Sequence, residues 1–341
     1  MKKFYNSLSE HPMDITGGIP YSGKAPTAPF GTGIQIQVND SSYTVVRLIN
    51  RSKFGDTYLV EINGGDRFVL KYCIASNLHD VKRSQYEIKL HQFMKERIRD
   101  RKCINLMHDF ELKPSSSWWE CITIFPFIDG TDLYDYMTKA LRNRDRANYR
   151  YETIRTIFLQ TLKAIGSLHE LDIVHRDLKP ENIMVVHHGD SVQITIIDFN
   201  LSYCSNPGFF RMQNLHPEYI GGLESDSLNS YKTIVGTLQY VAVELMERQV
   251  TKFQDLKLCD IWSLGVILYA MLYVCFPFGG EGNGMLQHYH LSVSRWRMKV
   301  ASIPTPFNPI IESIFVGPEK RPNVGELLKK LGNEPKTNTH A

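Results

Sequence analysis

Three short stretches near the start of the chain, YTVVRLI (43–49), DTYLVEI (56–62) and RFVLKYC (67–73), are dense in β-branched and aromatic residues and read as strands. The NGGD run before the third supplies turn residues. A helix-like segment follows from His79 to Ile98, and INLMHDFEL (104–112) and WWECITIFPF (118–127) give two more strands. After Leu133 the pattern is helical: Tyr151 to Glu170, an apolar run from Ile261 to Phe278, and Asn308 to Leu331 in pieces. No internal repeat is visible. A strand-rich part followed by a helical part predicts two lobes joined near Pro126 to Gly130, with a ligand cleft between them. Residues 1 to about 40 are rich in Gly, Pro, Ser and Thr, show no period of two or 3.6, and read as a flexible arm. The polar end of the chain, from about Gly332, reads as a frayed tail.

The run IWSLGVILYAMLYVCFPF sits at the lower edge of membrane-span length, ends in a proline and has no basic flank. A helix apolar all round is equally the central helix of a large lobe. The 341 residues suffice for a buried core, with 43% apolar and 22% charged residues. A formal charge of +3 gives no reason to expect nucleic acid. The six cysteines, Cys73, Cys103, Cys121, Cys204, Cys259 and Cys275, have no metal-ligand spacing and read as reduced thiols. The opening MKKFYNSLSEHPMD lacks an apolar stretch and is not a secretory signal. An intracellular location, in cytoplasm or nucleus, is the expectation.

The strongest chemical signal is HRDLKPEN, His175 to Asn182. Asp177 can accept a proton from an attacking hydroxyl. Asn182 can offer its side-chain oxygen to magnesium, and Lys179 puts positive charge where a phosphoryl group in transfer is negative. The second signal is Asp198-Phe199-Asn200 after the apolar strand ITII, a carboxylate well placed for Mg²⁺.

With these two motifs the sequence resembles the eukaryotic protein kinase family, whose catalytic loop reads HRDxxxxN and whose metal motif is DFG. The resemblance implies a bilobal α+β fold: an arm over 1–42, a kinase domain over 43–332 with lobes at 43–126 and 130–332, and a tail over 333–341. It implies ATP as co-substrate, Mg²⁺, a protein substrate, an upstream activating kinase and no membrane span. It assigns Lys71 of FVLK to the α- and β-phosphates, held by Glu87. GTLQYVAVE (236–244) resembles GTxxYxAPE, with Val243 in place of proline. DIWSLG (260–265) resembles the start of the buried helix of the large lobe, so the apolar run reads as core. There Asp260 braces the catalytic loop, and Arg321 pairs with Glu244.

Around the nucleotide the resemblance gives Ile49, Gly55, Thr57, Val69, Phe125, Pro126, Ile128, Asp132 and Met184. Phe125 closes the back of the pocket, and the C=O of Pro126 and both backbone groups of Ile128 serve adenine. Asp132 faces a ribose hydroxyl, and Met184 forms the floor. A stack of His91, Leu106, Phe199 and His175 runs down to Asp260. His91 stands where the family places an aliphatic residue. Lys179 and Thr237 resemble the serine/threonine type, in which the threonine bonds the catalytic Asp and Lys. Glu181 can take a basic substrate residue, while the second acid for that task falls at Ala270 and is missing. Phosphate on Thr233 would pair with Arg176. The basic clusters 95–102 and 142–150 read as solvated helix faces or a docking surface.

The departures cluster at the phosphate-covering loop, where Asn50 and Ser52 replace glycines, and at Asn200, where the turn is expected to need a left-handed backbone. They leave a second reading open: a pseudokinase that acts as scaffold or allosteric partner. A small-molecule phosphotransferase is the third, and the GTLQYVAVE segment speaks against it.

Overall fold

The computed structural model of the protein describes residues 29–52, 55–62, 65–115, 118–142 (backbone alone at 140–142), 151–189, 191–212, 235–273, 275–278 and 306–332. Thr233, the segment 1–28, the tail 333–341 and most of the basic cluster 142–150 lie outside these.

Six strands make one antiparallel sheet: β1 (Gln35–Val38), β2 (Ser41–Ser52), β3 (Gly55–Ile62), β4 (Asp66–Ala75), β5 (Asp109–Pro114) and β6 (Trp119–Pro126), in the order β1-β2-β3-β4-β6-β5. Val45, Val60, Leu70, Ile122 and Ile124 fill one face with Tyr43 and Tyr58. Helix α1 (Leu78–Arg97) lies against β4 and β6. Asn77 starts it by accepting the Asp80 N–H at 2.9 Å, satisfying one of the donors a helix start leaves bare.

The larger, helical region contains β7 (Thr131–Asp132), α2 (Leu133–Arg142), α3 (Tyr151–Glu170), β8 (Ile173–Val174), β9 (Ile183–His188), β10 (Ser191–Ile196), β11 (Tyr203–Cys204) and α4 (Pro207–Arg211). Helices α5 (Val243–Met246), α6 (Phe253–Tyr273), α7 (Asn308–Ile314) and α8 (Val324–Gly332) follow. In α3 the stripe Ile154, Ile157, Phe158, Leu162, Ile165, Leu168 recurs every three or four residues and is buried. In α6 the apolar residues run all round, because α6 has neighbours on every side. Its most apolar 18-residue window is 78% buried within the fold, so this helix is core. Truncating a fully buried side chain such as Leu264 would cost about 2–5 kcal/mol.

The two regions are tied by the chain between α1 and β5. Ile196 N–H donates to Cys103 O at 2.8 Å, and Asn105 N–H returns to Ile196 O at 2.9 Å. This stretch was expected to be strand from 104. It is instead a single bridge, Ile104 to Ile196, and the strand begins at Asp109. Two other boundaries differ from expectation. Helix α6 starts at Phe253 and stops at Tyr273, because the more polar residues 253–260 supply two leading turns. The expected arm over 1–42 includes ordered residues: Ile36 and Val38 of β1 are buried, and Phe30 packs edge-on against Tyr58 and Tyr72 at 5.5 and 5.0 Å. The alternation Gln-Ile-Gln-Val was too short to stand out among Gly, Pro and Thr.

Candidate active site

The loop between β8 and β9 carries HRDLKPEN. Its shape is imposed from below by Asp260, buried in α6. Asp260 Oδ2 accepts the His175 N–H at 2.9 Å, Oδ1 accepts the Arg176 N–H at 3.0 Å, and His169 Nε2 lies 3.0 Å from Oδ2. Burial works against the charge on Asp260, but these hydrogen bonds, His169 first, outweigh it and hold its carboxyl below the usual range. The bracing matters because Arg176 sits at φ 68, a left-handed conformation that a non-glycine residue keeps only when its surroundings enforce it. His175 Nδ1 accepts the Asp177 N–H at 3.3 Å, so the ring's proton lies on Nε2, which faces Ile197 O at 3.2 Å.

Asp177 stands at the centre of a closed set of bonds. Its Oδ1 accepts the N–H and the hydroxyl of Thr237, both at 3.0 Å. Its Oδ2 pairs with Lys179 Nζ at 2.9 Å and accepts from Asn182 Nδ2 at 3.1 Å. Lys179 also donates to Thr237 Oγ1 at 3.0 Å. The threonine therefore touches both the acid and the lysine, as the serine/threonine resemblance implies. Gly236, at φ 100, lets this segment approach; a Cβ there would lie 2.5 Å from Arg176 O.

From the strand-rich region, Lys71 Nζ on β4 meets Asp198 Oδ1 at 3.0 Å. Both side chains keep some exposure, 38% and 29%. The expected partner of Lys71 was Glu87, and here the structure differs. Glu87 faces the same cluster from α1, but its Oε1 is buried without a hydrogen-bond partner among the described residues. The physical reason is competition between two carboxylates for one ammonium. Burial first, and Asp198 in addition, push the Glu87 carboxyl up, while burial of Asp198 is outweighed by Lys71, which holds it down. Burial draws Lys71 down, but Asp198 and then Glu87 more than offset it.

The turn at 198–200 also departs from expectation. The left-handed residue is Asp198, at φ 65, and Asn200 is not among the positive-φ residues. The asparagine in place of glycine therefore sits in ordinary backbone, and the strain falls on the acid beside it.

His91 of α1 joins the stack as expected. Its ring lies 5.3 Å from Phe125 and 5.4 Å from Phe199, which in turn lies 5.0 Å from His175. Its Nδ1 accepts the Met107 N–H at 3.3 Å. Burial pulls its pKa down to about 3, so it is neutral at physiological pH.

Of the residues expected around the nucleotide, Ile49, Gly55, Thr57, Val69, Phe125 and Pro126 lie on β2, β3, β4 and β6. Ile49 is the extra residue of a β2 bulge and is exposed. Gly55 has φ 139, and a Cβ there would lie 2.2 Å from Tyr72 O, so the surviving glycine of the loop is needed for close strand approach. Thr57 pairs with Lys71 and Val69 with Phe125, whose ring lies 5.2 Å from Lys71 Nζ. At the connection, Pro126 O already accepts Asn105 Nδ2 at 3.3 Å, and Ile128 O accepts the Gly130 N–H at 2.9 Å. The carbonyls expected to serve adenine thus keep one lone pair each. Asp132 Oδ1 accepts the Asp135 N–H at 2.8 Å, so the expected ribose ligand also caps α2. Met184 lies opposite Asp132 in the β7–β9 ladder.

Glu244 and Arg321 form a buried two-pronged pair, with Nη2 to Oε2 at 3.2 Å. The guanidinium also donates to Ile314 O, Leu258 O and Val316 O. Three residues escaped the sequence reading: His169, Asn105 and Ser84, the last a hydroxyl on α1 beside Cys73 and Cys121. His169 carried a signal, its place in the last turn of the helix leading into HRD.

Among the described residues no group of three or more His, Cys, Asp or Glu could hold a metal alone. Magnesium asks less: one or two hard oxygens from protein, the rest from phosphates and water. Asp198 fits as carboxylate. The Asn182 amide nitrogen is committed to Asp177 O at 2.8 Å, which leaves its oxygen as the metal donor.

The protein kinase domain family model matches residues 43–331. Relatives include a putative ribosomal protein S6 kinase alpha-2 of Caenorhabditis elegans, 23% identical over 86% of this chain and 33% of the relative. A CBL-interacting serine/threonine-protein kinase 5 of Arabidopsis thaliana is 27% identical over 84% and 57%. A probable myosin light chain kinase of Dictyostelium discoideum is 32% identical over 48% and 42%. The chain thus spans from a third to just over half the length of these relatives.

Proposed function

The chain belongs to the protein kinase family, and from that premise we propose that it transfers the γ-phosphate of ATP, with Mg²⁺, to serine or threonine hydroxyls of protein substrates. The observation that carries this reading is the bonding of Asp177: Lys179, Thr237 and Asn182 all converge on its carboxylate. Asp177 orients the acceptor hydroxyl and takes its proton. Lys179, beside it, offsets the negative charge of the phosphoryl group in flight. Lys71 draws in the α- and β-phosphates, and Asp198 with Asn182 would hold magnesium, which neutralises phosphate charge when bound. Ile128 supplies a backbone N–H for adenine, with Phe125 closing the pocket behind it. Thr237, bonded to both Asp177 and Lys179, supports serine/threonine over tyrosine. The intracellular setting rests on the cysteine spacing in the sequence, which suits reduced thiols.

A second reading, nucleotide binding without turnover, draws on the Lys71–Asp198 pair, which engages in one contact the two groups that should hold phosphate and metal. A peptide array with Mg·ATP decides between them. Phosphate on serine or threonine peptides, absent with Asp177→Asn, supports the enzyme. A Mg·ATP-induced rise in thermal midpoint with no labelled peptide supports the second.

A further inference from the structure

Cys73 on β4 and Cys121 on β6 are directly opposite each other in adjacent antiparallel strands. The register fixes which kind of pair they make. Phe127 N–H donates to Arg67 O at 3.2 Å, and residues of β6 alternate in the direction their backbone groups face. Phe125, Thr123 and Cys121 therefore face β4, and Cys73–Cys121 is a hydrogen-bonded pair. Such pairs have Cα atoms about 5.5 Å apart, within the roughly 4.4–6.8 Å that a disulfide spans. Both side chains point to the α1 side, with Ala75, Val81 and Trp119 around them. Cys121 is buried at 2%, and Cys73 is partly exposed.

Neither thiol is merely a small apolar filler. The two thiols lie close enough for each to influence the other's ionisation. Ser84 of α1 lies beside both thiols. Ser84 is one helical turn before Glu87, and Cys73 is two residues beyond Lys71 on the same face of β4. The dithiol thus joins α1 to the strand that carries Lys71.

We propose that Cys73 and Cys121 are a redox dithiol site, closed to a disulfide by a hydroperoxide, and that closure weakens nucleotide binding by releasing Ser84 of α1 from the sheet. The balance is simple. A thiolate attacks the terminal oxygen of ROOH and breaks the O–O bond; RO⁻ leaves and takes up a proton as ROH. The second thiol attacks the sulfenyl sulfur, water leaves, and the S–S bond forms. Two thiols are oxidised and one peroxide is reduced. The effect on nucleotide rests on the kinase reading; the disulfide does not.

The full chain is treated with tert-butyl hydroperoxide, alkylated and analysed by peptide mass spectrometry, and Mg·ATP affinity is measured by calorimetry before and after. The expected result is one linked peptide pair containing Cys73 and Cys121, lighter by two hydrogens. It is absent in Cys73→Ser and in Cys121→Ala. Affinity should fall about fivefold on oxidation, the worth of one neutral hydrogen bond, and recover with dithiothreitol. Cys73→Ser should show no oxidation-dependent loss. Oxidation of either cysteine to sulfinic acid without linkage overturns the site. Linkage with unchanged affinity, or an equal loss in Cys73→Ser, overturns the coupling. Absence of Mg·ATP binding by the reduced chain counts against the kinase reading instead, and linkage is still read by mass.

Discussion

Lys71 and Asp198, 127 positions apart in the chain, meet with Nζ 3.0 Å from Oδ1. The contact joins the strand-rich region to the turn beside the catalytic loop. It also has a defined charge logic: Lys71 is held up and Asp198 held down, so both are charged across the neutral range.

The pair has a pH signature. The folded pKa of Asp198 is depressed, so its stabilisation is full above the unfolded carboxyl value and fades as pH falls through the folded one. The difference in thermal midpoint between wild type and Asp198→Asn should be flat from about pH 5 to 9 and shrink below about pH 4. A difference that grows on acidification would contradict the pairing. Peptide phosphorylation by Asp198→Asn should fall by about 10³-fold.

Thr237→Val keeps the backbone N–H on Asp177 but removes the hydroxyl shared with Lys179. The expected result is a drop of about tenfold in kcat, with the KM for ATP unchanged. An effect confined to KM would mean that the hydroxyl serves ground-state binding alone.

His91 gives a stability signature that can be read in acid. Its pKa is about 3 in the fold and about 6.5 when unfolded, so between these values the unfolded chain binds the extra proton and stability falls as pH drops. Between pH 7 and 5 the wild type should lose about 2 kcal/mol relative to His91→Leu, measured by urea unfolding. Parallel pH profiles for the two proteins would show that this ring is protonated or exposed in the fold.

Arg321→Ala leaves the Glu244 carboxylate buried without its counter-charge, and Glu244→Gln removes the counter-charge of the guanidinium while its bonds to three backbone carbonyls remain. Each should destabilise by about 3–5 kcal/mol, and the effects should be strongly non-additive in the double variant. Additive losses in a double-mutant cycle would show that the two do not act as one unit.

Much of this protein was determined by local sequence. Stretches dense in β-branched and aromatic residues placed β2, β3, β4 and β6, the helical pattern placed α3, and HRDLKPEN brought Asp177, Lys179 and Asn182 within eight positions. Spacing that short leaves the chain little freedom, so the motif carries its own geometry. What local pattern could not give was any choice between partners distant in the chain. Glu87 and Asp198 are both acids within range of Lys71, and which one touches it depends on how α1, β4 and the turn at 198 are set against one another. The same holds for the left-handed residue, which falls on Asp198 and not Asn200. It holds too for Cys73 and Cys121, which become neighbours only through the register of β4 and β6. Electrostatic and hydrogen-bond preferences are decided by distance in space, and only the packing of the sheet, α1 and α6 fixes those distances.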